Sequence, residues 1–161
     1  MRRLAWLLGL LTLLGFTLPT FLAYREKTRR HALGQDVFDP SADVLHLAVI
    51  FDGLDGASTA AAFRGGEIDC WYGGGSLDLR GATLDPAGGR LRIRSIFGGL
   101  DVVVPLSYRI ALDSRGIFGG ASDQTDPTTA DVEGPLLAIE ARSIFGGVSI
   151  RAADPSTGSA E

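Results

Sequence analysis

A single cysteine, Cys70, stands in the whole 161-residue chain, so no intrachain disulfide can form. A lone thiol suits either side of a membrane and is more often an inert buried side chain than a reactive group. Histidine is scarce too. His31 and His46 are the only two, and neither pairs with cysteine at ligand spacing, so there is no zinc or iron signature and no cofactor is expected. Past residue 30 no stretch carries a helical period. Basic charge is also thin there, nine Arg against 18 acids for a net −9, whereas the first 30 residues hold six Arg or Lys and only Glu26. An acidic body argues against binding nucleic acid, whose affinity comes mainly from counterion release onto Lys and Arg.

Leu4 through Tyr24 is a run of 21 residues without a charge. As a helix it would cover roughly 30 Å, the thickness of a bilayer core. Trp6 and Tyr24 sit at its ends and Arg2, Arg3, Arg25, Lys27, Arg29 and Arg30 flank it. The run is therefore expected to be a single-pass transmembrane anchor over 1–24, with Pro19 as a kink. A cleaved signal peptide competes with this reading, but cleavage after Ala23 or Ala32 would put Phe21 or Arg30 three residues before the cut, where a small side chain is needed. The cell membrane is the expected location, and the small downstream excess of basic residues leans the body toward the cytoplasm. Residues 25–43 read as a polar linker, 44–151 as one domain, and 152–161 as a disordered tail.

Within 44–151 one phrase recurs: an aromatic residue followed by a glycine pair or a close variant. The copies are Phe51-Asp52-Gly53, Tyr72-Gly73-Gly74, Phe97-Gly98-Gly99, Phe118-Gly119-Gly120 and Phe145-Gly146-Gly147. They fall 21 to 27 residues apart, the regime of stacked repeats. Arg-Ser-Ile-Phe-Gly-Gly occurs identically from Arg94 and from Arg142. Alternating apolar stretches flank the glycines, as in Leu91-Arg92-Ile93-Arg94, which is the signature of strands with one buried face. The body is read as all-β.

Two architectures fit. In a short right-handed parallel β-helix, or solenoid, each phrase is one coil, the glycines form a corner and the aromatics point inward, stacked in chain order as an internal ladder. In an antiparallel β-sandwich the glycine pairs are hairpin turns. The fixed place of the aromatic favours the coil, because stacked coils superpose equivalent residues. The turn-rich stretch from Asp123 to Asp131 reads as an exposed loop lengthening one coil.

Asp52 with Asp55, and Glu67 with Asp69, are carboxylate pairs suited in residue type to acid–base work or calcium. Arg90, Arg92 and Arg94 alternate with Leu91 and Ile93 and place three guanidinium groups on one outer face. Solvated or mutually balanced outer-face charges explain both sets more simply. No catalytic, metal or cofactor-binding residue is assigned, and the chain is not expected to be an enzyme.

Phe63-Arg64-Gly65-Gly66-Glu67, Tyr72 through Ala82 with Leu77-Asp78-Leu79-Arg80-Gly81-Ala82, and Ile96-Phe97-Gly98-Gly99-Leu100-Asp101-Val102-Val103-Val104-Pro105 together resemble the LiaF-like C-terminal domain over roughly Val44 to Arg151. The resemblance implies a bacterial membrane protein that modulates a cell-envelope stress response by protein contact, with a membrane partner such as a sensor kinase. The chain departs from that family's pattern in having one expected span instead of several, and Asp52 in place of a glycine. The rival expectation is a glycan-binding or glycan-cleaving β-helix outside the membrane. A groove lined by carboxylates and exposed aromatics would favour it.

Overall fold

Every second residue of Leu45-His46-Leu47-Ala48-Val49 is apolar and large, and in the folded chain those residues turn inward while His46 stays in solvent. The same alternation organises the rest of the body. The computed structural model describes residues 38–126, 128, 130 and 133–154. The expected span over 1–24 and residues 155–161 lie outside the described residues. Among the described residues no helix is long and apolar enough to cross a membrane.

Seven strands follow one another: β1 (Val44–Ile50), β2 (Gly53–Ala57), β3 (Gly65–Trp71), β4 (Gly74–Asp78), β5 (Gly89–Pro105), β6 (Arg109–Gln124) and β7 (Leu136–Ala153). Ala152 and Ala153, expected in the tail, thus pair with Val104 and Pro105 instead. Likewise Asp123 and Gln124, expected in the loop, close β6. Every strand pairing is parallel, which removes the hairpins an antiparallel sandwich would need. The sheet curls at β5, whose first half pairs with β3 and whose second half pairs with β4.

The spatial order departs from chain order. β7 pairs with β5 along its whole length and with β6 on its other side, so the last strand lies between the third and fourth copies of the phrase. Arg94, Ser95, Phe97, Gly98 and Gly99 face Arg142, Ser143, Phe145, Gly146 and Gly147 in register. The two identical strings are therefore neighbours in the sheet.

The core sits inside the curl. Leu91, Ile93, Leu100, Val102, Leu137, Ile139 and Ile150 are essentially inaccessible to solvent, and each contributes roughly 1.5 to 3 kcal/mol by leaving water. The segment between β4 and β5 closes the open side. Leu79, Ala82 and Leu84 pack inward there, Phe63 is fully buried against them, and the Tyr108 hydroxyl donates to the Ala82 carbonyl at 2.8 Å.

At the corners the aromatics turn outward, contrary to the internal ladder read from the sequence. The inward position belongs to the serine of the phrase. Ser95 and Ser143 are buried, and their hydroxyls donate to the carbonyls of Gly98 at 3.1 Å and Gly146 at 2.8 Å. Those bonds hold the bend with Ile96 and Phe97, or Ile144 and Phe145, on its convex side. The glycines make the bend possible in two ways. Gly98 and Gly146 hold φ of 136° and 137°, and a Cβ on either would overlap a neighbouring strand's carbonyl oxygen, that of Gly73 or Gly98 respectively. In the first two copies the aromatic itself takes the left-handed conformation, φ 53° at Phe51 and 55° at Tyr72, a costly place for a bulky residue.

Candidate interaction surface

Parallel register turns each sequence position of the phrase into a row across the sheet. On the outer face of the first half, one row reads His46, Glu67, Arg92, Glu140, Asp113 and the next Ala48, Asp69, Arg94, Arg142, Arg115. Arg92 donates to Glu67 at 2.8 Å and to Glu140 at 3.3 Å. Arg94 holds Asp69 through two bonds, Nε to Oδ1 at 2.6 Å and Nη2 to Oδ2 at 3.0 Å. Hydrogen bonding first to Glu140 and then to Glu67 raises the Arg92 guanidinium above its ordinary value. The three arginines share one face as their spacing predicts, and Glu67, Asp69 and Glu140 answer them.

The carboxylate pairs are thereby committed. Glu67 and Asp69 serve guanidinium groups, which leaves neither poised as a general base. Asp52 accepts from the backbone N–H of Gly53 at 2.9 Å and Asp55 from the Ser76 hydroxyl at 3.1 Å, so that pair is split between two partners. Among the described residues no three His, Cys, Asp or Glu side chains gather as a metal site would require. Cys70 lies in the core, and burial, followed by the charge of Asp69, pushes its thiol up to about 11. It is a packed side chain and not a nucleophile.

The aromatics form a continuous stack in the order Phe51, Tyr72, Phe97, Phe145, Phe118. Successive ring centroids are 5.0, 4.7, 4.9 and 5.0 Å apart and successive planes lie within 12°. The spacing is that of neighbouring strands. Stacked rings offer solvent their edges. Among the described residues, only the two terminal rings, Phe51 and Phe118, have a face with no ring over it. Beside the stack runs a row of glycines, then a row of Asp55, Ser76, Asp101, Ser149 and Ser122. Between them lies an open groove of about 780 Å³, floored by Leu100 and Val148 and edged by Asp101 and the serines.

The two most exposed large apolar side chains lie at the β6 end, while Phe51, 48% exposed, marks the opposite end of the stack. Ile117 is 72% exposed and Phe118 68%, with Ile144 and Phe145 next to them on β7. Sequence reasoning singled out Phe118 as a repeat position but passed over Ile117 and Glu140. The residue preceding the aromatic is isoleucine in four of the five copies, which was the available signal for Ile117. No family model, no curated protein and no solved structure matches this chain.

Proposed function

We propose that this chain is a non-enzymatic, membrane-anchored protein that works by contact with another protein in envelope-stress signalling, resembling LiaF-type modulators. Its body is read as a short right-handed parallel β-solenoid whose last two coils have exchanged places. The observation that carries the reading is the β6 end. There an edge strand paired on one side only presents Ile117 and Phe118 to solvent. Edge strands that bear exposed apolar side chains are templates for protein contact, and monomeric proteins usually blunt them. The resemblance supplies the kind of partner, a membrane protein such as a sensor kinase. The span over 1–24 supplies the confinement that makes a small contact effective.

The glycan reading keeps one supporting observation, the groove beside half-exposed aromatics. Two features weigh against it. Sugar rings pack on aromatic faces, and this stack offers faces only at its ends. Of the residues lining the groove, Asp101 alone carries a carboxylate, where glycosidic cleavage ordinarily needs two.

The test is site-specific photocrosslinking in intact membranes. A photoreactive residue replacing Ile117 should capture a membrane protein, while one replacing Ser149 in the groove should not. Capture of a polysaccharide from Ser149 and of no protein from Ile117 would reverse the reading.

A further inference from the structure

We infer that the β6 edge pairs with the β6 edge of a second copy, as an antiparallel two-fold contact centred on Ser114. The inference rests on the reading of this end as a contact surface and assigns the backbone edge of β6 to a second copy.

The two ends of the sheet differ. At the β1 end the inward side chains are sealed, Leu45, Leu47 and Val49 being at most 6% exposed, and Phe38 and Ala42 pack against the core. At the β6 end Ile110, Leu112 and Ala121 are only partly buried. One sealed end and one open end favour open meeting open, which gives a closed pair and not a filament.

Charge specifies the register. Along the outer rows, β7 and β6 place Glu140 beside Asp113 and, two residues on, Arg142 beside Arg115. Each row thus ends at the edge on two like charges, acidic in one row and basic in the next. Like charges in direct register are unfavourable. Within the chain Arg115 reaches Asp113 only at 3.8 Å, with both side chains mostly exposed. A two-fold axis through Ser114 sets Asp113 opposite the second copy's Arg115, and Arg115 opposite its Asp113. The acidic pair of one copy then runs into the basic pair of the other. The same register sets Leu112 opposite Gly116 on the inner face, and Ala111 opposite Ile117 on the outer face, so inward residues meet inward ones, and Ile117, opposite only an alanine, stays open on its outer side to the membrane partner. A register centred on Phe118 would instead oppose Asp113 to Asp123.

Ser114→Cys in the full-length chain in membranes tests this directly. Opposed residues of an antiparallel pair have Cα atoms about 4.5 to 5.5 Å apart, within disulfide reach. Mild oxidation should give a disulfide-linked dimer. Thr83→Cys, exposed but away from the edge, should not, and the buried Cys70 of the wild type should give no background. Adding Arg115→Glu or Asp113→Arg alone should lower the yield about tenfold by opposing like charges, and combining the two should restore it. Circular dichroism confirms that each variant keeps its strands. No excess of linkage at Ser114 over Thr83, or a double variant that fails to recover, overturns the inference. A monomer that still captures a membrane protein through Ile117 sinks this pairing and spares the proposed function. A dimer that forms while Ile117 captures no other protein does the reverse.

Discussion

Phe97 stacks on Phe145, ring centroids 4.9 Å apart and planes 9° from parallel, although Phe118 is the next copy along the chain. The relationship places β7 between β5 and β6, so among the described residues β6 is held to the sheet by β7 alone.

Edge position should show in hydrogen exchange. The amides of β5 and β7 sit within a sheet paired on both sides, while β6 has one neighbour. At a dilution where the chains are monomeric, we expect β6 to exchange by local opening well before β7 does. Equal protection in β6 and β7 under those conditions, or β7 exchanging first, would mean that the strands lie in chain order.

Ring removal should cost less than core truncation, and in a graded way. Phe97 has two stacking partners and Phe118 one. At about 0.5 to 1.5 kcal/mol for each aromatic contact, Phe97→Ala should lose about 1 to 3 kcal/mol and Phe118→Ala about 1. Ile139→Ala, which empties a site closed to solvent, should lose about 2 to 5 kcal/mol. Denaturant titration gives the ranking, and a Phe97 loss above that of Ile139 would restore the internal ladder.

Two glycines of the same phrase should behave oppositely. A Cβ on Gly146 would run into the Gly98 carbonyl from a backbone at φ 137°, whereas a Cβ on Gly120 meets nothing within 4 Å. Gly146→Ala should therefore destabilise by several kcal/mol. Gly120→Ala should stay within about 0.5 kcal/mol, the range of ordinary surface changes. Matching melting temperatures for the two variants would argue against backbone crowding at the corner.

Alkaline pH should weaken the fold through Cys70 and Tyr108. Burial raises the thiol from 9.0 to about 11 and the phenol from 10.0 to about 12. Both groups stay neutral in the folded chain while the unfolded chain ionises. Their contribution is thus complete below pH 9 and is lost as pH climbs toward 12. The thiol's share is at most about 3 kcal/mol. Cys70→Ala should flatten the stability curve between pH 9 and 11, and an unchanged slope would place the thiol in contact with water. On the acid side the hydrogen bond from Arg80 holds the Asp78 carboxyl below its ordinary value. That support is present above about pH 4 and disappears as pH falls through the lowered value.

Alternation and the glycine phrase made the strands legible, because a period of two and a residue that tolerates positive φ are local properties. The parallel pairing was legible as well, since only stacked coils give an aromatic a fixed place. The order of the stack was not read from spacing, which follows the chain, although the identical strings at Arg94 and Arg142 pointed to it. Identical sequences pair row on row without a mismatch in side-chain size. The outward turn of the rings was missed because Ser95 and Ser143 look like neutral filler, and their bonds to Gly98 and Gly146 exist only once the bend has formed. Glu140 was missed as the partner of Arg90 and Arg92 because it lies 48 residues beyond Arg92, and only the insertion of β7 brings it alongside.

The contact edge, and not the groove, is the proposed seat of function, and an in-cell comparison of two variants tests that most directly. Ile117→Asp places a charge on the β6 edge, and Ser149→Trp fills the groove; neither site is buried. With both proteins present at wild-type levels in the membrane, the envelope response to a wall-active antibiotic should change in the Ile117→Asp strain and stay normal in the Ser149→Trp strain. A normal response with Ile117→Asp and an altered one with Ser149→Trp would contradict the account and move the site to the groove.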